Sequence, residues 1–435
     1  MQILLRGFIF RIIFTCIGFG VSLLIAKLAG ADQFGTLSLM IVNAAFLYII
    51  TGLGTDAAIV WHGITGKNYN RNKIFSFTII TAAIQLSFFY IIAILGNLFL
   101  GHTLLGGSFE LSIFFAEVVY FTGLVIIDKF LSLYYSQHEA RLCNKIISIV
   151  AGILFIVIIT IWIIKPGLII KYPIWIFSLY TFIPAFILFF YFVVRFNPSF
   201  KRISQEEMRS FSSFSSIVLA ANIIQYVAYR ADYWLISIYY DHTTVGIYSQ
   251  ASKFAQLLWI IPGILAGLII PALKNEDQKL GEGALLSLCR VSFYIHIILS
   301  LIVIASSLAI YLFFLPGIYF DGFVSLLVMI PGYLLFTTAI ILAAYFSANR
   351  LLRVNLIVSA LCCIIIVSLD LLLIPAFSYK GAAIANLVAY SITTAYIIYR
   401  LKKYLNVSFK DFFAVKRSDF NLFSGEVLIT DNKKA

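Results

Sequence analysis

The sequence predicts an all-α integral membrane protein with about twelve transmembrane helices, in two six-helix halves around a central cavity, and three observations carry that reading. Of its 435 residues, 62% are hydrophobic and 11% charged, whereas a soluble chain carries charge on roughly a quarter of its residues. The apolar residues recur in runs of about 20, the length a spanning helix needs. Backbone amides in lipid must be satisfied within their own segment, so these runs are helices, and the short alternating segments of a β-barrel do not occur.

Apolar runs bounded by polar or Gly/Pro breaks place the helices at about 7–28, 36–60, 74–98, 112–136, 146–165, 173–194, 213–240, 245–271, 288–314, 322–346, 354–376 and 381–400. The first run has no small-residue cleavage site and is read as a retained span. With the N-terminus inside, the inner connections hold Arg6, Arg11, Lys67, Arg71, Lys73, Arg141, Lys145, Arg195, Lys201, Arg202, Arg209, Lys274, Lys279, Arg290, Arg350, Arg353 and the cations from Arg400 to Lys434. The outer ones hold Lys27, Lys165, Lys171 and Lys380. Cytoplasmic connections concentrate Lys and Arg, so both termini are expected in the cytoplasm of a cell whose inner membrane this chain crosses.

The net charge of +12 is dispersed through short connections and forms no nucleic-acid-binding module. Cys16, Cys143, Cys289, Cys362 and Cys363 suit small buried side chains better than a disulfide framework. His62, His102, His138, His242 and His296 share no metal-ligand spacing, so neither a metal nor a cofactor is expected.

The polar stretch Asn197 to Arg209 divides the chain into an N-terminal half, 1–200, a C-terminal half, 201–403, and a cytoplasmic tail, 404–435. A shift of 211 positions sets Phe34-Gly35-Thr36-Leu37-Ser38 on Val245-Gly246-Ile247-Tyr248-Ser249, Ala44 on Ala255 and Gly52 on Gly263. This is the signature of two parallel repeats, against which stands chance similarity of two apolar hairpins. The tail mixes Lys with Phe409, Phe412 and Phe413, as in a solvated tail or a segment lying at the headgroups.

Arg230-Ala231-Asp232-Tyr233-Trp234-Leu235-Ile236 is followed by Val245-Gly246-Ile247-Tyr248-Ser249-Gln250-Ala251-Ser252-Lys253, Ile261-Pro262 and Ile270-Pro271-Ala272-Leu273. This stretch resembles the seventh and eighth helices of the bacterial polysaccharide-repeat flippases, the O-antigen and exopolysaccharide exporters of the multidrug/oligosaccharidyl-lipid/polysaccharide superfamily. Gly30-Ala31-Asp32-Gln33-Phe34-Gly35 resembles that family's first outer turn. Ile374-Pro375 with Lys380-Gly381-Ala382-Ala383-Ile384-Ala385 resembles its last hairpin, and Tyr134-Tyr135-Ser136-Gln137 with Arg141 its fourth inner connection. The resemblance implies a flippase that moves an undecaprenyl-pyrophosphate-linked oligosaccharide from the inner to the outer leaflet.

Ionisable groups within spans are costly and mark functional positions, and here they are Arg11, Asp56, Glu117, Asp128, Lys129, Arg230, Asp232, Lys253 and Asp370. Arg230 and Lys253 lie about 15 and 12 Å below the outer ends of their helices, a shared depth. A pyrophosphate crossing the bilayer needs fixed cations, which makes Arg230 and Lys253 candidate substrate contacts, with Asn222 and Tyr226 on Arg230's side of the helix and Arg11 nearer the cytoplasm. The competing readings are an Asp232–Lys253 ion pair, a snorkelling Arg230 and an interfacial Arg11. Glu117 and Asp128 share a face of one helix and suit proton or Na⁺ coupling, unless Asp128 and Lys129 only neutralise neighbours. Asp56 and Asp370, near helix ends, read as solvated or paired.

The expected partners are the lipid-linked oligosaccharide, membrane lipids and other glycan-assembly membrane proteins. A multidrug or cation antiporter of the same superfamily is the first alternative, and its cavity would favour acidic or aromatic groups. A polymerase or ligase of the glycan pathway would need a large outer loop, absent here, so no enzyme is expected. A non-transporting scaffold is the last alternative.

Overall fold

The computed structural model describes residues 2–65, 70–100, 110–266, 282–349, 351–405, 407–414, 416 and 419. The motif Ile270-Pro271-Ala272-Leu273, His102 and the cations Lys67, Lys274, Lys279, Arg350, Arg417, Lys433 and Lys434 lie outside them. The described residues are helical almost throughout. The elements are α1 (Gln2–Gly52), α2 (Thr55–Thr65), α3 (Arg71–Leu100), α4 (Leu111–Ser136), α5 (Ala140–Ile164), the short α6 (Pro166–Lys171) and α7 (Pro173–Phe196). They continue with α8 (Gln205–Tyr239) and α9 (His242–Gln256), a 3₁₀ turn at Leu257–Trp259 and helical backbone over 260–266. Then come α10 (Glu282–Phe313), α11 (Phe320–Ala348), α12 (Leu352–Phe377) and α13 (Tyr379–Lys402).

Among the described residues nine helical stretches have the length and hydropathy of a span. The first of them holds two, because α1 bends at Gly30, whose φ of 82° and ψ of 175° belong to glycine alone. The more polar α8 and α9 bring the spans to twelve. Two expectations need correction. Sequence separates the first two spans near residue 30, where the helix does kink at Gly30, but it runs the second unbroken to 60, and that span breaks at Leu53 and Gly54, at φ of 49° and 70°. Sequence also makes the eighth span one helix, and it is interrupted at Leu257–Trp259.

Polarity is inverted as lipid requires. On α5, Ile149, Ile153 and Ile156 are exposed along one face while Cys143, Ile147 and Ala151 are buried on the other, so apolar side chains meet the acyl chains. Cys16 is exposed rather than buried, while Cys143, Cys289 and Cys362 are buried as expected.

The chain forms two compact units, Met1–Tyr226 and Val227–Ala435. Each uses the same device to pack its fourth span on its sixth. In the first unit a Cβ on Gly123 of α4 would stand 2.8 Å from the backbone of Phe182 in α7, and in the second a Cβ on Gly332 of α11 would stand 2.8 Å from the backbone of Leu387 in α13. Small residues let helix backbones approach where lipid supplies no hydrophobic drive. This shared contact gives the internal repeat a structural basis beyond the matched glycines of the sequence.

The tail, by composition solvated or at the headgroups, has a described part that instead clasps α10. Arg290, 2% exposed, donates from Nε and Nη2 to the Asp419 carboxylate at 2.8 and 2.5 Å, and from Nη1 to the carbonyl of Asp411 at 2.6 Å. Ser287 also donates to Asp419. Phe412 is fully buried and Phe413 packs edge-on against Phe293. Burial raises the Asp419 carboxyl, but the bonds from Arg290 and Ser287 outweigh it and hold the group at about 2. A depressed carboxylate stabilises the folded form above its ordinary range and loses that contribution only as pH falls through the depressed value. The clasp is therefore indifferent to pH between about 5 and 8. In detergent-solubilised protein, trypsin is expected to cut slowly at Lys410 and Lys416, and much faster in Arg290→Ala. Equal rates would mean that the guanidinium does not hold the tail.

Candidate substrate and ion site

Three polar clusters interrupt the apolar interior, and each is described within its own unit. In the second unit, Arg230 of α8 is half-buried, with its guanidinium carbon 5.3 Å above the Tyr233 ring. Its Nη2 donates to Gln256 Oε1 at 3.2 Å, and Gln256 in turn donates from Nε2 to Ser252 Oγ at 2.8 Å. Lys253, on the same last turn of α9, is half-buried and close enough to Arg230 for the two charges to repel. Asp232 also lies within electrostatic reach of Arg230, so the two cations share their surroundings with a carboxylate.

Beside them Asp232, 3% exposed, accepts from the Tyr248 hydroxyl, from Asn386 Nδ2 at 3.2 Å and from the Tyr233 backbone N–H at 2.9 Å. Asn386 also donates to the Tyr248 oxygen at 2.8 Å, so α8, α9 and α13 are tied together through this carboxylate. Asp370 of α12 corrects the sequence reading. It is neither solvated nor paired: it is fully buried, and among the described residues neither carboxylate oxygen has a hydrogen-bond partner. The helix continues past it to Phe377 and α13 packs along it, which encloses a position that looked terminal. Asp232 is the charged group it senses.

The third cluster lies in the first unit, at the break between α1 and α2. Lys129 of α4, fully buried, lies 2.9 Å from Asp56 Oδ1 and donates to Thr55 Oγ1 at 2.5 Å. The Tyr48 hydroxyl donates to Asp56 Oδ2 at 2.5 Å, and Gln85 Nε2 to the Tyr48 carbonyl at 2.9 Å. Asp128 is surrounded by Asp56, Arg11 and Lys129. Glu117 is buried, 3% exposed, and lies roughly 16 Å along α4 from Asp128, so the two carboxylates do not meet. Arg11 is half-buried, its guanidinium 6.0 Å above the Phe14 ring. Tyr226 donates to the Val42 carbonyl at 2.6 Å and stacks on Phe46, while Asn222 is exposed. Asn222 and Tyr226 fall in the first unit, Arg230 and Lys253 in the second.

Removing Lys129 leaves the Asp56 carboxylate, 27% exposed, without its cation. Loss of one partner of a fully buried pair costs about 3–5 kcal/mol, and solvent access lowers that to about 2 kcal/mol here. Lys129→Met is expected to lower thermal stability in detergent, and Lys129→Met with Asp56→Leu to restore most of the loss. A double variant as unstable as the single one would dismiss the pair as the cause.

With the geometry in place, the sequence matches the polysaccharide biosynthesis protein family over residues 5–275. The chain belongs to that family. No curated protein matches it. Among solved structures, the lipid II flippase MurJ in an inward closed conformation is 16% identical, with a TM-score of 0.71 over 98% of this chain and 94% of MurJ. An inward-facing multidrug resistance MATE family transporter of the MOP superfamily is 13% identical, with a TM-score of 0.67 over 90% of this chain and 94% of the transporter. A mutant of the Vibrio cholerae MATE transporter VcmN is 15% identical, with a TM-score of 0.59 over 94% of this chain and 96% of that one. At these identities the likeness shows the fold alone, the multi-pass helical fold that those three structures share. The family supplies the link to polysaccharide biosynthesis.

The sequence singled out Arg230 and Lys253 and missed Gln256, Tyr248 and Asn386. Asn386 carried a usable signal, being an amide inside an apolar run. Gln256 carried none, because its partner is 26 positions away on another helix.

Proposed function

We propose that this protein is a non-enzymatic flippase of the cell inner membrane, both termini cytoplasmic. It carries an undecaprenyl-pyrophosphate-linked oligosaccharide to the outer leaflet by alternating access of its two halves. The observation that carries the reading is Arg230, half-buried, bonded to the neutral Gln256 and within electrostatic reach of both Lys253 and Asp232, a guanidinium that a pyrophosphate could engage. Arg11, Asn222 and Tyr226 are proposed as further contacts for phosphate or sugar along the path. A cationic drug would gain nothing from Arg230 and Lys253, which disfavours the antiporter alternative.

Transport is coupled to an ion in this reading, and one observation favours the second unit as the place. Asp232 and Asp370 are two buried carboxylates within electrostatic reach of each other, and Asp370 has no hydrogen-bond partner among the described residues. Such a pair must share a proton or hold a cation. Glu117 and Asp128 are the proposed route in the first unit.

The test is reconstitution into proteoliposomes with a fluorescent undecaprenyl-pyrophosphate-linked oligosaccharide, scored by loss of protection from a membrane-impermeant quencher. Movement of that lipid, with no uptake of a cationic dye such as rhodamine 6G, is expected. Dye uptake without lipid movement would establish the antiporter, and neither would leave the scaffold.

A further inference from the structure

The second span of each half is interrupted. In the first unit α1 ends at Gly52 and the chain resumes as α2 at Thr55, through Leu53 and Gly54 at positive φ. In the second unit α9 ends at Gln256, three residues adopt a 3₁₀ turn, and helical backbone resumes over 260–266. Under the 211-residue shift the two breaks sit about two turns apart on equivalent spans. Paired interruptions in repeated halves point to the substrate path, and a 3₁₀ stretch inside a helix marks a hinge.

The break in the second unit has a latch on one side and an anchor on the other. The latch is the bond from Arg230 Nη2 to Gln256, the last residue before the turn. The anchor is Trp259, the last residue of the turn, stacked on Tyr333 at 4.5 Å and 13° and flanked by Tyr229, Phe336 and Tyr390. The latched state is not a relaxed one: the indole Nε1 of Trp259 is buried and, among the described residues, has no acceptor.

We propose that Gln256 is a positioning residue that couples ligand binding at Arg230 to the hinge at Leu257–Trp259. This rests on the phosphate role given to Arg230 above. A neutral amide oxygen is a weaker acceptor for a guanidinium than a phosphate oxyanion, which takes charge-assisted bonds in a forked geometry. A phosphate group arriving at Arg230 therefore takes the donor that Gln256 now holds. Gln256, released, no longer fixes the end of α9, and the turn is free to change pitch about Trp259. Binding and helix movement become one event, and the free energy of displacing Gln256 is drawn from the ligand.

Because the latch competes with the ligand, the proposal predicts a sign that a merely structural contact would not give. In full-length protein in nanodiscs, inorganic pyrophosphate is the probe, binding is measured by calorimetry and the turn is followed by amide hydrogen exchange over 257–262. Wild-type protein is expected to bind pyrophosphate and to exchange faster at the turn when it does. Gln256→Ala is expected to bind about tenfold tighter, with exchange already raised without ligand. Gln256→Glu gives the guanidinium an ionised partner and is expected to bind at least tenfold more weakly, with exchange suppressed. Weaker binding by both variants, or binding by wild type with no change at the turn, would overturn the latch and leave the phosphate role intact. No binding of pyrophosphate by wild type, with Gln256→Ala equally silent, would remove the phosphate role and the latch together.

Discussion

Replacing Arg230 with alanine is expected to abolish flipping of the lipid-linked oligosaccharide while leaving the protein folded and in the membrane. The size of the loss follows from what the guanidinium offers a pyrophosphate: two or more charge-assisted hydrogen bonds at low dielectric, each worth about 1.5–3 kcal/mol. A deficit of about 3–4 kcal/mol in the barrier lowers the rate by a factor of about 10²–10³. The cost to the fold is modest: Arg230 bonds to the neutral Gln256 and Tyr233, so its loss orphans one amide oxygen at about 1 kcal/mol and takes a cation from the neighbourhood of Asp232. Asp232 keeps the bonds from Tyr248 and Asn386. Arg230→Lys is expected to be intermediate, since an ammonium supplies the charge but not the planar fork. Normal flipping by Arg230→Ala in proteoliposomes, at equal protein content and melting temperature, would end the phosphate role. A variant that fails to insert or melts far lower would make Arg230 a structural group.

The spans and their number were legible because they depend on local properties: run length, hydropathy and the cost of an unsatisfied amide in lipid. Local geometry is less so. The left-handed conformation at Gly30 matches a glycine, but Leu53 adopts φ of 49° at a residue that ordinarily avoids it, and its flanking Gly52 and Gly54 with Thr55-Asp56 were a break signal that the long apolar run masked. The break is stabilised by Lys129 and Gln85, both distant in sequence, so it belongs to the tertiary structure. The eighth span shows the same limit. An apolar run reads as a single helix despite Gly246, Pro262, Gly263, Gly267 and Pro271, and the 3₁₀ turn ends three residues before Pro262. For the site, sequence identifies which charges lie in the membrane but not what each one touches. Asp370 looked terminal because it lies within two turns of the end of the 354–376 run, yet α13 packs along that end of α12 and encloses it. The tail failed for a similar reason: Phe412 and Asp419 are solvated residues by composition and become buried only because Arg290 is there to receive them.

Asp370→Asn is expected to raise the melting temperature of the detergent-solubilised protein and to uncouple flipping from ion gradients. Burying an ionised carboxylate costs several kcal/mol, and a partner is normally required to offset it. Among the described residues Asp370 has no hydrogen bond to offset its burial, and the charge it senses is a second carboxylate. Arg230 offsets part of the charge on Asp232, and in the coupling proposed above a proton or a cation neutralises the remainder, so the folded protein spends free energy to keep the site. Asparagine keeps the size and polarity of the protonated acid without the charge, so it removes that cost, and a gain of about 1–2 kcal/mol is the expected scale. The same change fixes the site in one charge state. If emptying and refilling it drives the cycle, flipping in Asp370→Asn proceeds at one slow rate whether or not a Na⁺ or proton gradient is imposed, where wild type accelerates with one of them. Asp232→Asn differs in sign for stability, because the Asp232 carboxylate accepts from Tyr248, Asn386 and the Tyr233 amide, and an amide in its place forfeits at least one of those bonds, lowering the melting temperature by the equivalent of about 1–3 kcal/mol. Opposite shifts in stability with a shared loss of gradient response would mark the two carboxylates as one site with unequal duties. A gradient response that survives in both variants moves the coupling elsewhere, with Glu117 and Asp128 of the first unit next to be tested.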